Sequence, residues 1–179
     1  MVQSGDADAF VTIPTPLRSS YTNIAELPFF KSEFIMFTGS ENPKIELLKK
    51  IKNLVDLKSH GEIMHLILRG GGWHGQHMRG VKQLSEINDS TDILRNLAIN
   101  RGDVYIEQKT IVLYQINMLG LKNKIHGINT VLDETSWHLC IGKLSSLSDK
   151  LPEINNLLHK MQVNGELKFL KEEIFSRYR

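Results

Sequence analysis

The residues best placed for chemistry lie in a short glycine-rich segment, residues 66–80, with the sequence LILRGGGWHGQHMRG. Gly70, Gly72 and Gly75 match the pattern G-x-G-x-x-G, and an apolar run precedes them. In dinucleotide-binding proteins this pattern forms a tight turn that brings a pyrophosphate close to the backbone at a helix start. The bulky side chain of Trp73 stands where such a ligand would approach. The pattern therefore supports nucleotide binding only as an alternative.

Two histidines in the same segment raise the question of a metal site. His74 and His77 form the pattern H-x-x-H. A zinc or iron ion needs a third and a fourth ligand at fixed geometry, and no H-E-x-x-H pattern or pair of carboxylates supplies them. We therefore expect no metal and no cofactor. We interpret the segment as an interaction loop, whose candidate residues are Arg69, Trp73, His74, His77, Met78 and Arg79.

Catalytic residues are not evident elsewhere in the sequence. No G-x-S-x-G pattern occurs, and no serine or cysteine stands with a recognisable base. The single cysteine, Cys140, lies in the apolar run WHLCIG, which is typical of a buried core residue. We expect a protein that is not an enzyme. The alternative is a small nucleotide- or metal-binding enzyme that uses the Gly70–Gly80 loop.

A set of lysines forms the second group of candidates. Asn42 and Pro43 predict a helix start, with asparagine as the cap and proline in the first turn. Apolar residues then recur with a period of 3.6 as far as residue 55, which predicts one helix over 43–58. Its outer face is basic and would be solvated or would contact an anionic membrane or an acidic protein. The residues of this face are Lys44, Lys49, Lys50, Lys52 and Lys58.

Residues 1–25 show no sustained period and contain two prolines, which favour an extended conformation. We predict a flexible or partner-docking arm over 1–25, followed by a globular domain over 26–179. Alternating apolar residues in the arm suit a groove on another molecule. The candidate docking residues are Val11, Ile13, Pro14, Pro16 and Leu17.

The elements that must position these residues form an α+β pattern. Apolar runs predict strands over 32–38, 62–68, 104–119, 125–132 and 136–141, and helices are predicted over 43–58, from Asp89, from Pro152 and over 166–176. Short links between neighbouring strands favour antiparallel pairing. We therefore predict a single domain with an antiparallel sheet packed against several helices and an extended N-terminal arm.

Composition narrows the function classes. The chain has 179 residues, of which 41% are hydrophobic, and a net charge of +2. A charge this small argues against a protein that wraps nucleic acid, and we expect no sequence-specific nucleic-acid binding. The first residues lack the features of a secretory signal, so we expect an intracellular protein.

The order of segments resembles that of the rhabdovirus matrix proteins over residues 26–140. The matching segments are FFKSEFIMF, the helix after it, IMHLILRGGG and KTIVLYQINML. The N-terminus is not lysine-rich and no P-P-x-Y motif occurs, so a plant- or invertebrate-infecting branch fits best.

The resemblance implies a structural protein of virion assembly that self-associates through the arm and condenses the ribonucleoprotein. Its partners would be itself, the viral nucleoprotein and an anionic membrane surface. It would act between nucleocapsid and envelope, and at the inner membrane face of the host cytoplasm.

Overall fold

The computed structural model describes residues 1–176, with side chains up to residue 173. Helices and strands alternate along most of the chain, so the predicted mixture of sheet and helices is confirmed. In chain order the elements are β1 (Ala9–Thr12), α1 (Pro16–Tyr21), β2 (Thr22–Ile24), β3 (Phe30–Gly39), α2 (Ile45–Leu48), α3 (Leu54–Ser59), β4 (His65–Leu68), α4 (Gly72–His77), β5 (Leu84–Ile87), α5 (Ser90–Leu97), β6 (Val104–Gln108), α6 (Lys109–Met118), β7 (Ile125–Gly142), a 3₁₀ turn (Ser148–Lys150), α7 (Leu151–Val163) and α8 (Glu166–Ser176).

The chain forms two compact units, and each is described by itself below. Unit 1 consists of Met1–Ser32 together with the chain from Thr135 to the end of the described residues, and unit 2 is Glu33–Glu134. The sequence predicted a boundary near residue 25, but the structure divides the chain at other positions. The last three residues of the predicted globular domain, 177–179, lie outside the described residues.

Unit 1 incorporates the predicted arm into its own sheet. Strands β1 and β2 both pair antiparallel with the end of β7, and Ile141 lies opposite Ala9 on one side and Asn23 on the other. A small core beside these strands contains Ala25, Leu158 and Leu167. Residues 9–24 are therefore not an extended segment free to dock elsewhere.

The prolines of the arm begin a helix. The Thr15 side chain accepts a hydrogen bond from the backbone N–H of Arg18, and Pro16 occupies the first position of α1. Threonine before proline is a favourable helix start, because proline lacks only an N–H group that the first turn leaves unpaired anyway. The prediction of an extended arm was wrong for this reason.

Unit 2 has a mixed sheet in the order β7-β3-β6-β4-β5. Strand β3 pairs antiparallel with β6, whereas β4 pairs parallel with both β5 and β6. Side chains of β3 alternate between two cores, with Phe34 and Met36 in one and Ile35 and Phe37 in the other. Because both faces are covered, the strands are apolar without the alternation typical of a half-exposed sheet.

The prediction of a wholly antiparallel sheet was wrong because part of the predicted strand 104–119 is helix α6. Val112 and Ile116 of α6 are buried, while Ile111 and Met118 are exposed. A helix with apolar residues on every side has no clear 3.6-residue period, and its sequence can be mistaken for a strand. Helical connections such as α4 and α5 also permit the parallel pairs, which a tight turn cannot make.

Two further element predictions need correction. The predicted helix 43–58 is two short helices, α2 and α3, and Asn53 caps the second by accepting from the N–H of Asp56. The predicted strands 125–132 and 136–141 are parts of one strand, β7. Among the described residues, no helix combines the length and the apolar character needed to cross a membrane.

One polar side chain is enclosed in the core of unit 2 without a hydrogen bond. His65, at the start of β4, is 1% exposed, and neither ring nitrogen has a partner in the described part of the chain. Burial lowers its pKa to about 4, although nearby Asp103 raises it. The neutral ring is therefore the form that the folded chain accommodates.

We predict that His65 makes the chain acid-sensitive. Its pKa is lower when folded than when unfolded, so its contribution to stability is fully present above about pH 6.5 and is lost as the pH falls towards 4, by at most about 3 kcal/mol. His65→Leu should remove this part of the pH dependence without lowering stability at pH 7. Urea unfolding at pH 7 and pH 4.5 measures both effects. An equal acid-induced loss in the variant would contradict the assignment.

Candidate ligand-binding site

Two connections leave the sheet of unit 2 side by side. Strands β4 and β6 are parallel, with His65 opposite Val104 and Leu66 opposite Tyr105. Continuing this register by two residues places the ends of both strands at one edge. The turn after β4 (residues 69–71) and Gln108 therefore emerge as neighbours. Ligands of open α/β sheets bind at the carboxyl ends of parallel strands, which makes this edge the candidate site.

His74 holds the turn against β6. Its side chain is buried, and its Nε2 lies 2.9 Å from the carbonyl oxygen of Ile106. The ring also stacks on Tyr105, with ring centroids 5.7 Å apart. Burial lowers the pKa of His74, so the neutral ring donates its Nε2 proton to this carbonyl, which can only accept. His74, predicted as an interaction-loop residue, is thus a positioning residue inside the unit.

The glycines at this edge divide into two kinds. A Cβ atom at Gly70, Gly72 or Gly75 would meet no atom within 4 Å, and Gly70 has a positive φ of 74°. At Gly71 a Cβ would lie 2.8 Å from His74 Nδ1 and 3.0 Å from the carbonyl oxygen of Leu68. Gly71 is therefore required for packing, while Gly70 and Gly72 leave bare backbone facing open space. Gly75 lies inside α4, with its N–H bonded to Gly71 and its carbonyl to Arg79.

Gln108 is the polar side chain at this edge. It precedes α6 but does not cap the helix, and only 8% of it is exposed. Its side-chain amide has no hydrogen-bond partner among the described residues, and the amide atoms are not fully enclosed by the protein.

The start of α6 adds a second feature to this edge. The first N–H groups of a helix have no acceptor within the helix, so an uncapped start attracts anions. Lys109 is the first residue of α6, and its positively charged Nζ lies 3.7 Å from the carboxylate oxygen Oε2 of Glu33.

The carboxylate next to Gln108 is already engaged. Glu107 Oε1 accepts from the backbone N–H of Gln108 at 2.8 Å, and Oε2 accepts from the hydroxyl of Tyr105 at 3.4 Å. Burial raises the pKa of Glu107. Both carboxylate oxygens of Glu107 are therefore occupied by hydrogen bonds to residues of β6.

The remaining residues of the predicted interaction loop pack within unit 2 or pair on its surface. Trp73 stacks between Phe34 and His77, with centroids 4.6 and 4.7 Å away, and its Nε1 donates to Asp133 Oδ2 at 2.6 Å. Met78 is buried in the same core. At the surface, Arg69 Nε lies 3.3 Å from Glu86 Oε2 and Arg79 Nε donates to the carbonyl of Gly75. The segment is mostly helix α4 rather than an exposed loop.

The predicted basic face is not one surface. Lys44 pairs with Asp103 at 2.7 Å, and Lys49 pairs with Glu46 at 2.6 Å. Lys50 and Lys52 lie exposed in the connection after α2, and Lys58 lies half-buried in α3. The break between the two helices separates charges that a single helix would have aligned.

The predicted docking residues lie along the β1–α1 connection of unit 1. Val11 pairs with Leu139, and the carbonyl of Ile13 accepts from Arg18 Nη1 at 2.7 Å. Pro14 lies just before the Thr15 cap of α1, and Pro16 and Leu17 form its first turn.

Unit 1 also has an open cavity of about 480 Å³ beside Leu27 and the start of α7, lined in part by Glu26, Asn155 and His159. It contains none of the predicted site residues. Among the described residues, no group of three histidine, cysteine, aspartate or glutamate side chains could hold a metal ion.

Comparison with known proteins shows similarity to amino-acid-binding proteins. No family model matches the chain. A curated relative, the probable amino-acid-binding protein YxeM of Bacillus subtilis, is 27% identical over 132 residues, which cover 70% of this chain and 47% of that protein. The chain therefore spans about half the length of this curated relative.

Solved structures show the same fold at low sequence identity. A histidine kinase sensor domain with similarity to periplasmic binding proteins matches with a TM-score of 0.70 and 17% identity, covering 96% of this chain and 71% of that one. The substrate-binding protein AbpA of an amino acid ABC transporter from Streptococcus pneumoniae, bound to L-arginine, matches with a TM-score of 0.66 and 16% identity, covering 98% and 70%. The fold is that of periplasmic binding proteins.

These findings overturn the resemblance to rhabdovirus matrix proteins. The function, partners and location that it implied were wrong: virion assembly, lattice self-association, nucleoprotein and membrane binding, and residence in the virion or host cytoplasm. The likeness depended on the order of apolar segments, and one of those, KTIVLYQINML, is helix α6 rather than a strand.

We predict that two adjacent glycines respond oppositely to alanine. Gly71→Ala should lower the free energy of unfolding by about 1–3 kcal/mol, because the new methyl group crowds His74 and the Leu68 carbonyl. Gly72→Ala is the matched control and should be neutral or slightly stabilising, because its Cβ meets open space at a helix start. Urea unfolding of both variants measures the difference, and equal effects would contradict the packing described for Gly71.

Proposed function

We propose that the chain is a ligand-binding module that takes up a small carboxylate-bearing molecule of the amino-acid type at the unit 2 edge. The observation that carries this proposal is Gln108, whose side chain is only 8% exposed and whose amide has no hydrogen-bond partner among the described residues, beside the uncapped start of α6. The bare backbone at Gly70 and Gly72 is the third component of the site.

The electrostatics of the edge favour a negative group. The start of a helix carries partial positive charge, which stabilises a nearby anion by roughly 0.3–2 kcal/mol. Lys109 lies in the first turn of α6, where Glu33, with Oε2 3.7 Å from its Nζ, partly offsets its positive charge. A ligand carboxylate placed there would accept from backbone N–H groups that the helix leaves unpaired.

The Gln108 amide supplies both a donor and an acceptor to a ligand at this edge. Its atoms are not fully enclosed, so a ligand can reach them although the side chain is only 8% exposed. A ligand that pairs with both its N–H₂ and C=O groups would also be oriented by them.

We propose binding without chemistry, and thus a protein that is not an enzyme. The groups at this edge that could transfer protons are engaged: His74 donates to Ile106, and Glu107 accepts from Tyr105 and from Gln108. The names of the similar proteins, which describe amino-acid binding and a periplasmic-binding likeness, support the same proposal and a location outside the cytoplasm.

The proposal predicts that Gln108→Leu weakens ligand binding about tenfold or more, because leucine keeps the volume and removes the amide. Gln76→Leu is the matched control, since Gln76 is exposed on α4 of the same unit. Isothermal titration of the common L-amino acids and related carboxylates, at up to about 1 mM, measures affinity. Absence of binding by every compound, or equal weakening in both variants, would refute the proposal.

A further inference from the structure

We infer that the unit 2 edge selects 2-hydroxy acids over α-amino acids that have the same side chain. This inference rests on the proposed function and names the ligand class of the same site. It follows from the charges that surround Gln108: groups that attract a carboxylate are present, whereas the nearby carboxylates that could receive an ammonium group are occupied.

An amino acid brings an ammonium group as well as a carboxylate. Removing an ammonium group from water is costly unless an anionic acceptor replaces its hydration. Glu107 cannot serve as that acceptor without giving up its hydrogen bonds to Tyr105 and to the N–H of Gln108. Burial also raises the pKa of Glu107, which reflects an environment that disfavours charge.

The other carboxylates of unit 2 near this edge are also engaged. Asp133 accepts from Trp73 Nε1 at 2.6 Å, Glu86 pairs with Arg69 at 3.3 Å, and Glu33 pairs with Lys109 at 3.7 Å. Asp89, which follows β5, caps α5 by accepting from the backbone N–H and the hydroxyl of Thr91. Each would have to abandon a partner to meet a ligand cation.

Positive charge at the same edge acts against an ammonium group. The partial positive charge at the uncapped start of α6 would repel a cation placed beside Gln108. A hydroxyl group avoids this repulsion, because it is neutral. It can donate to the amide oxygen of Gln108 and accept from the amide N–H₂, which satisfies both halves of that side chain.

The test compares matched pairs that differ only in the group on the α-carbon. Isothermal titration of the intact chain would use L-leucine with L-2-hydroxyisocaproate, L-alanine with L-lactate, and L-phenylalanine with L-3-phenyllactate. We expect the hydroxy acid of a bound pair to have a dissociation constant about tenfold or more below that of the amino acid. Gln108→Glu places a carboxylate in nearly the same volume and should reverse this preference, whereas Gln76→Glu should leave it unchanged.

The outcomes separate the two proposals. If amino acids bind the unaltered chain as tightly as hydroxy acids or more tightly, the inference is wrong while the proposed binding function stands. If hydroxy acids bind more tightly but Gln108→Glu, folded by circular dichroism, does not change the ratio, the assignment to Gln108 is wrong. If no compound of any pair binds, the proposed function fails and the inference fails with it.

Discussion

Parallel pairing of β4 with β6 is the constraint on which the rest of unit 2 depends. Two parallel strands end at the same edge, and each must be followed by a crossover that returns the chain to the opposite edge. Helices α4 and α6 begin at this edge, immediately after the glycine turn and after Gln108. The bare backbone, the unpartnered amide and the helix start are neighbours for this reason, although about 35 residues of sequence lie between them.

A single buried hydrogen bond fixes the distance between the two connections. His74 in α4 donates to the carbonyl of Ile106 in β6, and its ring stacks on Tyr105. Gly71 allows the close approach, because any side chain there would meet the His74 ring. The glycine run thus has two separate functions, since Gly71 serves packing while Gly70 and Gly72 leave backbone accessible.

Sequence alone revealed the elements that carry a local signal, such as an apolar run for a strand buried on both faces, and a polar cap or a one-sided apolar stripe for a helix. Strand β3, the cap of α5 at Asp89, and helices α7 and α8 were predicted close to their positions in the structure. Helix α6 was not, because apolar residues on all its sides erase the 3.6-residue period. The burial of Trp73 also could not be predicted, because its stacking partner Phe34 is distant in sequence. The glycine segment drew attention by its composition, whereas Gln108 was missed because an ordinary glutamine has no local signature.

Nuclear magnetic resonance of the isotope-labelled chain tests the central claim most directly, because it observes each group of the site separately. On titration with a carboxylate ligand, the account predicts that the largest shifts occur at the side-chain amide of Gln108, the backbone N–H groups of residues 70–72 and the first turn of α6. Shifts confined to unit 1, for example around Leu27 and the start of α7, or no shifts at saturating ligand, would contradict it.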